Sequence, residues 1–119
     1  MEDNFSFETD TILDVVVVRT DGYFNDFAAE SVSEEFHYQL GMGQKKFVVS
    51  FLKTSVINSL AICILMDIID IIVEENDGQI TFCHLNETHK STLEMMGLFQ
   101  DAPYFETEQL AIDYIVKKK

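Results

Sequence analysis

Three short β-branched runs, each followed by a stretch with helical periodicity, limit this chain to one kind of architecture. The runs are residues 12–19 (ILDVVVVR), 45–54 (KKFVVSFLKT) and 79–85 (QITFCHL). Their length and composition suit strands covered on both faces, and the turn chemistry of Asp21-Gly22 is expected to end the first of them. In residues 25–43, Phe27, Ala28, Val32, Phe36 and Leu40 recur at helical spacing, with Asp26 in the N-cap region and Gly41 and Gly43 at the stop. From Asn58 the pattern is helical to about Glu75, where Asn76, Asp77 and Gly78 close it. Asn86 caps a third helix over residues 87–98 with Gly97 as its stop. A short extended piece at Tyr104-Phe105 then leads into a last helix over about residues 106–116. Strands that alternate with helices through short connections form parallel βαβ units with right-handed crossovers, which predicts an α/β fold. Phe5 to Phe7 suggest an added N-terminal edge strand within residues 1–10.

At 119 residues, 47% of them hydrophobic, the chain has the size of one domain with a substantial core, and no Pro-, Gly- or Ser-rich stretch divides it. A single domain over residues 1–119 is expected, its core spanning about 12–116. The 21 Asp and Glu against 8 Lys and Arg give a formal net charge of -13, which repels nucleic acids and anionic membranes. Lys117, Lys118 and Lys119 read as a solvated tail. The apolar run over residues 60–73 falls short of the roughly 20 residues a membrane crossing needs, and it contains Asp67 and Asp70. The acidic start MEDNFSFETD lacks a basic and apolar leader, so a cytoplasmic location is expected. Cys63 and Cys83 lack the close spacing of metal or redox motifs; reduced buried thiols are the default reading, and no metal or cofactor is expected.

The second helix carries the informative site. At about 100° per residue, Leu60, Cys63, Asp67, Asp70 and Glu74 share one stripe, and the acids mark it as the solvent side. Leu60 and Cys63 therefore face outward beside Ser59, forming a small apolar spot that suits protein docking, unless a neighbouring loop covers it. Asn58 is a favoured N-cap, which leaves Ser59 in the first turn, where free N–H groups and the helix dipole favour an anion. Ser59 is either an ordinary part of a helix start or a residue fit for phosphorylation. A nucleophilic role is disfavoured: His37, His84 and His89 lie in other elements, and no Gly-x-Ser-x-Gly elbow is present. A phosphoacceptor receiver domain is disfavoured as well, because the central strand ends in SFLKT, without the acceptor aspartate. The chain is therefore not expected to be an enzyme.

Three segments, RTDGYFNDFAAE, KKFVVSFLKTSVINS and NETHKSTLEMMGLF, appear in the order and at nearly the separations found in one family. Over residues 12–115 the chain resembles the STAS-domain anti-sigma factor antagonists, small bacterial proteins that bind an anti-sigma factor which is also a serine kinase. The resemblance implies a STAS-like single domain with a mixed, mostly parallel sheet of four to five strands and about four helices. It places Ser59 at the position phosphorylated by a kinase partner with an ATP-binding fold, with a protein phosphatase to reverse the reaction. It also implies partner binding around Asn25 and Asp26 together with Asn58, Ser59, Leu60 and Cys63. The family usually has Asp-Ser-Ser-Gly or Asp-Ser-Thr-Gly where this chain has Asn58-Ser59-Leu60-Ala61, and often an acid where it has Asn25. Those two asparagines also suit an alternative, a constitutive STAS scaffold or partner-binding domain without a phosphorylation cycle.

Overall fold

A computed structural model describes residues 4–117. Strands β1 (Phe5–Ile12), β2 (Val15–Phe24), β3 (Lys46–Ile57), β4 (Gln79–Cys83) and β5 (Tyr104–Phe105) form one sheet in that spatial order. β1 runs antiparallel to β2, and every other neighbouring pair is parallel. The helices are α1 (Asp26–Gly41), α2 (Ser59–Ile69), α3 (Glu87–Met95) and α4 (Glu108–Lys117). α2 continues into a wider π-helical segment, Asp70–Glu75, and α3 is followed by the short 3-10 turn Leu98–Gln100.

The alternation of side chains along the strands sorts the core into two layers. Val16, Val18, Phe47, Val49, Phe51, Ile80 and Phe82 face the layer that holds Val32 and Phe36 of α1, Ile62 and Leu65 of α2, and Leu93 of α3. Val15, Val17, Val48 and Cys83 face the opposite side, where Ala111, Ile112 and Ile115 of α4 cover them. The central strands are thus buried on both faces, which is why they lack the alternating polarity of a half-exposed strand. β1, mostly exposed, forms the edge.

The N-terminal edge strand is longer than Phe5–Phe7, and residues 1–3 of the region assigned to it lie outside the described residues. The run over residues 12–19 is not one strand. Ile12 ends β1 and Val15 begins β2, joined by Leu13 and Asp14, both at positive φ as a two-residue primed hairpin turn requires. Leucine is an uncommon choice there, so the turn left no Gly or Asn signal. Asp21-Gly22 does not end β2. The register to β3 shifts at that point, Gly22 takes φ +96°, and β2 continues to Phe24. A strand irregularity and a turn call for the same backbone freedom, so the sequence signal is shared. A Cβ on Gly22 would collide with the Asn4 carbonyl oxygen, so its bare backbone also admits the edge strand.

Phe27 does not join the buried face of α1; it is 77% exposed, whereas Ala28, Ala29, Val32 and Phe36 are buried. The N-cap of α1 is Asn25, with Asp26 the first helical residue. Of the two thiols, Cys83 is buried and Cys63 is exposed, so the buried default fails for Cys63 and the outward stripe reading holds. Burial pushes the Cys83 thiol up to about 12. We expect Ellman's reagent to titrate one thiol in the folded protein and both in denaturant; a second rapid equivalent in the folded state would contradict the buried position.

Candidate functional site

The parallel pairing of β2 and β3 places two helix starts side by side. Tyr23 pairs with Val56 and Phe24 with Ile57, so Asn25 and Asn58 emerge together at the same end of the sheet. The Asn58 backbone N–H donates to the Phe24 carbonyl at 3.2 Å, and the Asn58 side-chain amide donates to the Tyr23 hydroxyl at 3.4 Å. Each asparagine caps its own helix. Asn25 Oδ1 accepts from the Ala28 N–H at 2.9 Å, and Asn58 Oδ1 accepts from the Ala61 N–H at 2.9 Å.

The two starts share a pattern that runs Asn25-Asp26-Phe27-Ala28 in α1 and Asn58-Ser59-Leu60-Ala61 in α2. In both, asparagine caps, the next residue is polar, the large apolar residue points to solvent, and the alanine is buried. Leu60 is 59% exposed, and with Phe27, Val56 and Cys63 it places an apolar surface around Ser59. Among the described residues no loop covers Leu60 or Cys63. The sequence reading missed Phe27 because helical spacing fits both the core stripe and the exposed position. Its signal was the parallel with Leu60.

Ser59 is exposed in the first turn of α2. The Asn58 side chain takes the Ala61 N–H and its carbonyl takes that of Ile62, which leaves the Ser59 and Leu60 N–H groups without intrahelical acceptors. α1 has Asp26 in its first turn, but α2 has no acid there, so the positive end of its dipole is uncompensated. The arrangement can therefore accept a negative group on the Ser59 hydroxyl without disturbing the cap. The histidines lie in other elements than Ser59: the His37 ring bonds the Ser33 carbonyl within α1, His84 Nε2 accepts from the Glu108 N–H, and His89 lies in the first turn of α3. Among the described residues no group of three or more His, Cys, Asp or Glu side chains could hold a metal ion, and no helix is long and apolar enough to cross a membrane.

Lower on the sheet, on the face that α4 partly covers, an ion cluster escaped the sequence reading. Glu108 at the start of α4 receives the Arg19 guanidinium on both oxygens, Nε at 2.9 Å and Nη2 at 2.7 Å, while Glu8 and Asp10 of β1 lie 3.0 and 3.5 Å from Nη1. The hydrogen bonds from Arg19 hold the Glu108 carboxyl below its ordinary value. A carboxyl depressed in the folded state contributes stability above its unfolded value, and that contribution is lost as pH falls through the folded one. We expect thermal stability to drop on acidification below about pH 4.5, and Glu108→Gln to shrink that drop while costing about 1 kcal/mol at neutral pH. Melts between pH 3 and 7 test this; an identical pH dependence for the variant would refute it.

Comparison with known proteins bears on the fold. No curated protein sequence matches the chain. Among solved structures, an anti-sigma factor antagonist from Mycobacterium paratuberculosis is 13% identical and superposes with a TM-score of 0.84 over 97% of each chain. The anti-sigma factor antagonist SpoIIAA in its unphosphorylated form is 17% identical, with a TM-score of 0.75 over 95% of this chain and 100% of that one. The phosphorylated form of the Bacillus cell fate determinant SpoIIAA is 19% identical, with a TM-score of 0.72 over 92% and 99%. These likenesses establish the fold, a five-stranded mixed sheet with four α-helices. The sequence model of the STAS domain matches residues 6–111, from β1 to the first turn of α4, and the chain belongs to the STAS domain family.

Proposed function

We propose that this protein is a regulatory binding module of the anti-sigma factor antagonist type, which docks on an anti-sigma factor that is also a serine kinase and is released when Ser59 is phosphorylated. The observation that carries the reading is the pair of asparagine-capped helix starts, which set Ser59 among exposed Phe27, Leu60 and Cys63 with free N–H groups beneath it. The fold relationship to SpoIIAA, a protein whose structure is known in unphosphorylated and phosphorylated forms, supports it. In this reading Asn25, Asp26, Asn58, Ser59, Leu60 and Cys63 contact the partner, a phosphatase restores the binding form, and the work is done in the cytoplasm without catalysis. A phosphate would bring about -1.5 to -2 charges and a hydrated group into that apolar contact.

A second reading has its own observation. Asn58 and Asn25 are uncharged where the family usually has acids, and both already serve as caps, which suits a scaffold that binds its partner constantly. Mass spectrometry of the protein isolated from its own cells separates the two. We expect phosphate on Ser59 in part of the population and a co-purifying protein with an ATP-binding kinase fold. A uniformly unmodified Ser59 would favour the scaffold, and an unrelated enzyme complex in place of the kinase would overturn both.

A further inference from the structure

The cover that α4 gives its face of the sheet stops at Glu108. Ala111, Ile112 and Ile115 lie over Val15, Val17, Val48 and Cys83. Farther along β2 and β3, toward Asn25 and Asn58, a cavity of about 310 Å3 opens between β1, β2, β3 and Glu108. That volume is at the lower end of the roughly 300–1,000 Å3 that hold small molecules. Its lining includes Ser6 and Glu8 of β1, Arg19 and Asp21 of β2, and Leu52 and Lys53 of β3, and none of the residues assigned to the Ser59 surface.

β3 departs from regular pairing beside this cavity. From Arg19 to Asp21 the register advances two residues in β2, while in β3 it advances three, from Ser50 to Lys53. The extra residue is a bulge in the central strand. Successive side chains of a regular strand point to opposite faces, but Leu52 and Lys53 both line the cavity. Leu52 is 64% exposed, an aliphatic surface within reach of a ligand, and Lys53 and Asp21 are exposed as well.

The charges select the ligand. Arg19 is engaged by both oxygens of Glu108 and by Glu8, so it forms part of the wall. Lys53 and Asp21 are partners in the β2–β3 register and present one cation and one anion from strands about 5 Å apart. A plain anion meets Asp21 and a net charge of -13, and a plain cation meets Lys53. A small zwitterion satisfies both groups, and an apolar side chain on it covers Leu52. We propose that this cavity binds a free α-amino acid with an apolar side chain, its carboxylate on Lys53, its ammonium on Asp21 and its side chain against Leu52. The assignment rests on the cavity alone and holds whether or not Ser59 is phosphorylated.

The experiment is amide NMR of the 15N-labelled full chain, titrated at fixed pH with leucine, methionine and phenylalanine, and with lysine and glutamate for contrast. Saturable shifts of the Asp21, Leu52 and Lys53 resonances are expected with the apolar amino acids at millimolar concentrations, and markedly weaker binding of lysine and glutamate. N-acetylleucine lacks the ammonium and leucinamide lacks the carboxylate; each should bind roughly tenfold more weakly than leucine. Lys53→Met and Asp21→Asn should weaken leucine by a similar factor. Both side chains are exposed, so the melting temperatures of these variants should stay close to that of the wild type. The proposal is overturned if none of the apolar amino acids gives a saturable shift, or if the shifts fall elsewhere on the chain. It is overturned as well if the two variants bind leucine as before, or if the acetyl and amide derivatives bind as tightly as leucine.

Discussion

Phe82→Ala is expected to remove about 3–5 kcal/mol of stability, the usual result of truncating a fully buried aromatic ring. Phe82 is 0% exposed and stands at the middle of a continuous series of ring contacts that crosses the sheet. Phe5 meets Phe24 at 6.0 Å between centroids, Phe24 meets Phe51 at 5.5 Å, Phe51 meets Phe82 at 5.9 Å, Phe82 meets Phe99 at 6.3 Å, and Phe99 meets Tyr104 at 5.5 Å. The series ties all five strands together beneath the α1–α2 layer, and Phe24 directly precedes the Asn25 cap. Domains of this size hold about 5–15 kcal/mol in all, so the loss is a large share of the total. Urea unfolding measures it directly, and the melting temperature should fall by about 10–20 °C. Phe82→Leu, which keeps most of the apolar volume, should cost less than half as much. A loss below about 1 kcal/mol for the alanine variant would show that the neighbours collapse into the cavity and that the ring series is not what holds the strands together.

The alternation of strands and helices was legible because each buried strand is a short β-branched run and each helix start carries a side-chain cap. Asn58 and Asn86 cap α2 and α3 as their positions in the sequence suggest, accepting from the Ala61 and His89 N–H groups, and Gly97 takes the left-handed conformation its place after α3 predicts. What was not legible is tertiary in origin. The hairpin at Leu13-Asp14 is specified by the register of β1 against β2 rather than by turn residues, so sequence pattern merges the two strands. Arg19 and Glu108 are 89 residues apart, and no local pattern relates a strand cation to a carboxylate at the start of the last helix. At the candidate site, the stripe argument placed Leu60 and Cys63 on the exposed side because Asp67 and Asp70 fix the phase of α2. α1 lacks so clear an acidic stripe, since Glu30, Glu34 and Glu35 spread around its outer side, and Phe27 was assigned to the core for want of it.

Ser59→Asp is expected to weaken binding to the co-purifying partner roughly hundredfold, a change of about 3 kcal/mol, while Ser59→Ala keeps the affinity of the unmodified protein. The two effects of the charge have opposite signs, and that makes the measurement diagnostic. Within the isolated protein an acid at the first position of α2 meets free N–H groups and an uncompensated dipole, so the Ser59→Asp melting temperature should match or slightly exceed that of the wild type. Across the interface proposed for exposed Phe27, Leu60 and Cys63, the same charge would have to give up water without a matched partner. A variant that folds as well and binds far worse has lost the contact alone. Asn58→Asp provides the control, because it places a charge one residue away while keeping the capping oxygen for the Ala61 N–H. It should weaken binding less than Ser59→Asp if position, and not net charge, governs release. Calorimetric titration of the three variants and the wild type against the purified partner decides the matter: equal affinities for Ser59→Asp and Ser59→Ala would remove Ser59 from the mechanism and leave constant binding as the reading that stands.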